Sequence, residues 1–408
     1  MLNTIFDTLK KNNADLWVMY NRENKDRYFC KYISKNLSTA TFAFATNSKI
    51  YLVVNELDRQ NVYKLSSDKK YSKNIKVYIY KDSQELQECI EDVLSSVKFI
   101  PKIYLSYSTL SDQNTDVLGH GEYVFVTKKI KEAYKKYQKS VKFISAEKMI
   151  YDIGSIKSDL ELSRMKFIAK ITDKILESTF LEIRVGMSEI DISELTRNIT
   201  EETMNMYVGS NDILSFDYAW EICPIVLTGE NLTKGGHSLP TVKLLKGGET
   251  IYLDFGLRVT FSDKTILNTD IQRMGYALKE NERHAPKSVI KVFNALSVAI
   301  DEGIEKMVSG VKAYKIDEIV RKQILHFGFP DYNHATGHAV GSEVHDVGAV
   351  IATKNNKRAN ISLSENSIYT LEPRIQIANG GSIEEMIQVT KFGGIPICNT
   401  QKKLYIIK

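Results

Sequence analysis

Glycine is nearly missing from the start of this 408-residue chain: of 22 glycines, only Gly119 and Gly121 precede residue 150, and six of the seven prolines also come later. Glycine collects where a backbone turns sharply or comes close to another group, so chemistry is to be sought in the later part. Cysteine is scarce too. Cys30, Cys89, Cys223 and Cys398 lie far apart, with neither pairing nor zinc-type spacing, and read as scattered thiols in a reducing compartment. No apolar run approaches the ~20 residues needed to span a bilayer. The opening MLNTIFDTLKKNNADLW lacks the basic start, continuous apolar stretch and small-residue cleavage site of a secretory signal. The expectation is a cytoplasmic protein with no membrane partner. Low-complexity segments and short tandem repeats are absent.

What is present is ordinary globular composition, 43% hydrophobic and 26% charged. The net charge of +5 is unevenly spread. Residues 1–150 carry 25 Lys and Arg against 17 Asp and Glu, and the remainder 30 against 33. A basic surface can signal nucleic acid, but these lysines are dispersed, and KKIKEAYKKYQK (128–139) reads as the solvated face of a helix. No nucleic-acid partner is expected.

Pattern and glycine content divide the chain near residue 150. Residues 1–150 alternate a helix (3–12), the strand-like runs DLWVMY (15–20), ATFAFAT (40–46), KIYLVV (49–54), KVYIY (76–80) and KIYLS (102–106), and a helix near 84–97. This predicts a small α/β domain with a mixed sheet. Residues 151–408 shift to longer helices. Ser158 and Glu161 form a capping box before Leu162, Met165, Ala169 and Leu176 on one face. Further helices are expected at 188–207, 286–308 and 314–327. Between and after them run ETIYLDFGL, ILNTDIQRMGYAL, SIYTLEPRIQI and SIEEMIQVT, so the second domain, 151–408, reads as α+β.

Five possible metal ligands fall in strand or turn contexts after residue 250: Asp254, Asp270, His338, Glu372 and Glu384. Glu372 and Glu384 flank a strong turn signal, Asn379-Gly380-Gly381, and a hairpin centred on residue 378 would set the two carboxylates nearly opposite each other. Asp254 and Asp270 flank TFSDK, whose midpoint is residue 262, which predicts a second carboxylate-bearing hairpin. Like charges facing across a ladder destabilise it unless a cation lies between them. Four carboxylates offset two divalent ions, and a neutral imidazole completes the set. Any one of these acids alone would read as a surface hairpin residue.

Several segments give the set its meaning: SIKSDLELSRMKFIAK (155–170), CPIVLTGEN (223–231), GHSLPTVKLLKGGETIYLDFG (236–256), TDIQRMGYAL (269–278), HATGHAVGSEVHD (334–346), YTLEP (369–373) and SIEEMIQVT (382–390). Together they resemble the creatinase, aminopeptidase P and prolidase family of "pita-bread" metallopeptidases. The resemblance covers the second domain from end to end and the first in layout only.

The resemblance implies that Asp254 chelates one metal, that Asp270 and Glu384 bridge both, and that His338 and Glu372 hold the other. It implies substrate histidines at His237 and His345, with His334 lining the proline side of the pocket. Glu372 would act as general base, and His237 and His345 would donate hydrogen bonds to the oxyanion. His120, His284 and His326 match nothing and read as structural or surface residues. The cofactors implied are two divalent ions, Mn²⁺ first, with Co²⁺, Zn²⁺ or Fe²⁺ also compatible with an oxygen-rich set. The reaction implied is hydrolysis of the Xaa-Pro bond of dipeptides or short peptides by a hydroxide bridging the metals, in a homodimer.

Two features depart from the family pattern. Its two aspartates usually stand about eleven residues apart, against sixteen here, which makes Asp263 a rival to Asp270; IQRMGY after Asp270 favours the latter. Many members carry arginine two residues before the last glutamate, where this chain has Ser382. Methionine aminopeptidase shares the five ligands but is usually a single catalytic domain, and creatinase shares the two-domain layout without the ligands. A pita-bread domain that has lost catalysis and binds peptides or proteins is the reading from another class. Such descendants typically lose ligands, and this chain keeps all five.

Overall fold

The computed structural model describes residues 2–67, 73–110, 112–234 and 238–408, and these form two compact units, Met1–Gly154 and Ser155–Lys408. The last helix of the first unit runs to Gly154, so the boundary falls four residues beyond the position where the composition changes.

In the first unit the strands are β1 (Trp17–Asn21), β2 (Thr41–Ala45), β3 (Ile50–Asn55), β4 (Ile75–Tyr80), β5 (Lys102–Leu105) and β6 (Lys142–Ser145). They form one sheet in the order β4-β3-β2-β1-β5-β6. The pairs β1/β2 and β2/β3 are antiparallel, while β3/β4, β1/β5 and β5/β6 are parallel. The sheet is therefore mixed, as expected. Its helices are α1 (Leu2–Lys11), α2 (Arg27–Tyr32), α3 (Arg59–Ser67), α4 (Ser83–Ser96), α5 (His120–Lys136) and α6 (Glu147–Gly154). Helix α5 contains most of the lysine-rich segment. Ile130, Ala133 and Tyr134 turn into the core while Lys128, Lys131, Lys135 and Lys136 stay exposed, the helical period separating the two sets.

The second unit opens with α7 (Asp159–Glu182) and α8 (Glu189–Asn205). Both caps are reciprocal: the Glu161 amide donates to Ser158 Oγ and the Ser158 amide to Glu161 Oε2, and Ser188 and Asp191 repeat the arrangement. Leu162, Met165, Ala169 and Leu176 are all buried in the core that α7 shares with the sheets. The remaining helices are α9 (Lys287–Lys306) and α10 (Ala313–His326).

The strands that carry the candidate ligands are short and many. They are β7 (Ile213–Tyr218), β8 (Ile225–Thr228), β9 (Thr250–Phe255), β10 (Leu257–Phe261), β11 (Ile266–Asn268), β12 (Ile271–Ala277), β13 (Gly337–His338) and β14 (Val350–Ile351). After them come β15 (Ile368–Leu371), β16 (Arg374–Ile375), β17 (Gly381–Ser382), β18 (Glu385–Val389), β19 (Gly394–Pro396) and β20 (Tyr405–Ile407). Two sheets matter most for the site, β20-β12-β9-β8 and β15-β18-β19. A bridge between Gln272 and Glu384 joins them, and another between Ala339 and Tyr369 ties the β13 segment to β15. None of the helices among the described residues is long and apolar enough to cross a membrane.

Candidate metal centre

Register explains how distant residues meet. Leu371 pairs with Glu385 across β15/β18, and Arg374 with Ser382 across β16/β17. The two ladders share one register, which sets Glu372 opposite Glu384. The reversal is made at Asn379, whose φ of 54° is the left-handed conformation that asparagine tolerates. This hairpin is the one the sequence predicts.

The other hairpin differs from expectation. Across β9/β12 Asp254 faces Gln272, not Asp270, and Arg258 faces Asn268 in the continuation. The ladder is centred on residue 263 rather than 262, so Asp270 lies diagonally from Asp254, on the same face because side chains alternate with period two. Gln272 fills the place between the strands. Its Nε2 donates to Asp254 Oδ2 at 3.2 Å, and its backbone bridges to Glu384. Asp254, Gln272 and Glu384 thus form one row across three strands. Asp263 sits at the hairpin tip, where Arg164 pairs with it at 3.0 Å; it takes no part in the cluster.

His338 arrives on β13. Gly337 lets that strand approach β15 so closely that a Cβ there would lie 2.0 Å from the Thr370 carbonyl oxygen. The Glu372 amide donates to Thr336 O at 2.8 Å, fastening the same two segments. His338 Nδ1 faces the Ala339 carbonyl at 3.2 Å. A carbonyl only accepts, so the proton is on Nδ1 and Nε2 is the nitrogen that would offer its lone pair to a cation. That Nε2 lies 3.4 Å from Asp270, 3.7 Å from Glu372 and 3.9 Å from Glu384. Ligand atoms of Asp270, His338 and Glu384 all fall within 4.8 Å of one another.

Electrostatics tests whether a cation fits. Burial pushes the carboxyls of Asp254, Asp270, Glu372 and Glu384 well above the ordinary range, and their mutual repulsion pushes further in the same direction. Asp254 Oδ1 and both Glu384 oxygens are buried without a well-formed hydrogen bond from any described residue. Buried carboxylate oxygens left this way are costly. Divalent ions remove both the repulsion and the unsatisfied acceptors, and the oxygen-rich set with one imidazole is the donor chemistry they take.

The cluster opens into a cavity of about 930 Å³ lined by Trp220, Tyr252, His334, His345, Arg374 and Gln376, among others. The His345 ring lies 4.2 Å from that of His338. His334 Nδ1 faces the Ala335 carbonyl at 2.7 Å, leaving its buried Nε2 as an acceptor without a partner; burial lowers the imidazole pKa, so it is neutral. His237 lies outside the described residues. Sequence reasoning missed Gln272 and Arg374. Both stand two residues beyond a candidate ligand on the same strand line, and strand alternation alone would have flagged them.

Converging carboxylates and one imidazole on the floor of a cavity define a metallohydrolase-type site. The comparisons name the family: the pattern of metallopeptidase family M24 matches residues 163–391, and the chain belongs to that family. The Xaa-Pro dipeptidase of Pyrococcus horikoshii is 25% identical over 276 residues, 67% of this chain and 71% of that protein. A putative Xaa-Pro aminopeptidase of Mycoplasma genitalium is 30% identical over 248 residues, 59% of this chain and 61% of that one. Among solved structures, X-Pro aminopeptidase from Thermotoga maritima superposes with a TM-score of 0.64 at 19% identity, covering 98% of this chain and 100% of that one. The prolidase from Pyrococcus horikoshii does so with 0.62 at 22%, covering 99% of each. The fold is a pita-bread domain preceded by a smaller α/β domain.

Proposed function

We propose that this chain is a two-metal peptidase that hydrolyses the bond between an N-terminal residue and proline, in dipeptides or short peptides. The observation that carries the reading is the convergence of Asp270, Glu372 and Glu384 around His338 Nε2, with Asp254 on the same face of the neighbouring strand, at the base of a peptide-sized cavity. The relatives' names supply the Xaa-Pro preference. Asp254, Asp270, His338, Glu372 and Glu384 would hold the ions, Mn²⁺ in our reading. When bound there, such ions would supply an acidified water and polarise the scissile carbonyl.

This chain's side chains do the remaining work. Glu372, on the cavity wall, takes the proton released from the attacking water and passes it to the departing proline nitrogen. His345 donates a hydrogen bond to the carbonyl oxygen as negative charge develops there, a contact worth about 2.7–4 kcal/mol in comparable sites. His237 is assigned the same task. His334, neutral and with Nε2 unengaged, lines the proline side. The ring fixes φ and leaves the scissile nitrogen without hydrogen, which suits a shallow wall of this kind.

Purified protein with Mn²⁺ is expected to cleave an Xaa-Pro dipeptide or tripeptide and to lose the activity with a chelator. Absence of chelator-sensitive cleavage under every divalent ion tested would reject the reading in favour of a peptide-binding module. The cytoplasm is the proposed compartment, a reading that the four unpaired thiols support. The proposed assembly is a homodimer; sedimentation at 46.4 kDa rather than twice that mass would contradict it.

A further inference from the structure

Arg374 lines the cavity, and its bonds lead away from it. It is only 4% exposed, its guanidinium lies 5.0 Å over the Tyr252 ring, and Nη2 donates to the carbonyls of Leu232 at 3.1 Å and Lys234 at 2.8 Å. Gln376, two residues on and on the same strand face, donates from Nε2 to Thr233 O at 2.9 Å and Lys234 O at 3.3 Å. The Asn379 amide reaches Gly229 O at 3.2 Å. The 3₁₀ strap Gly229–Thr233 is therefore fastened along its length to the hairpin that carries Glu372 and Glu384. Its other side is fixed by Glu189, fully buried, which accepts from Thr228 N, Thr228 Oγ1 and Asn231 Nδ2.

These bonds couple a strap to the metal-site hairpin through a side chain that also faces the cavity. Directly across the ladder from Arg374 stands Ser382, whose hydroxyl donates to Pro373 O at 3.2 Å. Paired residues share a face, with Cβ atoms about 5 Å apart, so a guanidinium at position 382 would reach the space that Arg374 fills.

We infer that Arg374 is a positioning residue: it latches the Gly229–Lys234 strap to the Glu372–Glu384 hairpin and thereby holds the cavity in the shape that binds peptide. The inference concerns the same cavity as the peptidase reading and rests on it for its kinetic consequence. The latch needs a planar group that can reach two carbonyls and stack on Tyr252 at once. An ammonium, with its charge at a single point, does not replace it.

The test uses the full-length, Mn²⁺-loaded protein. Arg374→Ser is expected to speed hydrogen exchange of the 229–234 amides at least tenfold and to raise KM at least tenfold, with kcat less affected and metal content unchanged. Arg374→Lys is expected to follow it. Adding Ser382→Arg to Arg374→Ser should slow the exchange again and recover most of the KM. The inference is overturned if Arg374→Ser exchanges within twofold of the parent, if Arg374→Lys behaves like the parent, if Arg374→Ser loses its metal, or if Ser382→Arg rescues nothing. Should the parent cleave no Xaa-Pro peptide, the peptidase reading fails while exchange still decides the latch.

Discussion

At the scale of single residues, the four acids of the centre are held in a state that only a cation makes comfortable. In the metal-free protein their folded pKa values lie above their unfolded ones, so above the ordinary carboxylate range, about pH 4, the folded state holds more protons than the unfolded. The stability slope with pH is then negative. We expect the metal-free melting temperature to fall from pH 5 to pH 8 and Mn²⁺ to remove most of that fall. Glu384→Gln separates this effect from other titrations. It deletes one charge at a position 1% exposed, so the metal-free variant should melt above the parent at pH 8, whereas in Mn²⁺ it should melt below it and bind fewer ions. A metal-free Glu384→Gln protein that melts below the parent would show that repulsion is not the governing term.

At the scale of elements, the site is a matter of register, and that sets what the sequence could reveal. The Glu372/Glu384 hairpin was legible because Asn379-Gly380 offers one turn centre. The Asp254/Asp270 pair was legible only as a pairing: TFSDKT offers several centres, and the chain turns with Lys264 at φ 67°, one residue's difference in midpoint that changes opposite into diagonal. The choice of Asp270 over Asp263 came from the residues after it, not from spacing. Strand alternation marks Arg374 as a site-facing residue, but its bonds were invisible because nothing in a strand sequence states which carbonyls an arginine will find. Gly337 tests the element directly. Its neighbour at 2.0 Å is backbone, which cannot rotate aside, so Gly337→Ala must move β13 and His338 with it. We expect Mn²⁺ affinity to drop at least tenfold while the far-ultraviolet dichroism stays that of the parent. Unchanged affinity would mean that the strand shifts without carrying the imidazole.

At the scale of the molecule, the two compact units have separate cores, and the chain's two tryptophans are divided between them. Trp17 is fully buried in the first unit, donating to Ser106 Oγ at 3.1 Å, while Trp220 lines the metal-site cavity of the second. Trp17→Phe therefore leaves an emission signal from the second unit alone, and Trp220→Phe one from the first. Ions that bind only the folded second unit stabilise it by mass action, about 2.7 kcal/mol at a hundredfold excess over Kd for one site. Adding Mn²⁺ should change the emission of the Trp17→Phe protein and raise its thermal midpoint, while the Trp220→Phe protein keeps its emission on titration. If the Trp17 signal responded to the ion as strongly as the Trp220 signal, the ion would not be confined to the cluster around His338, and the assignment of the centre to the second unit would fall.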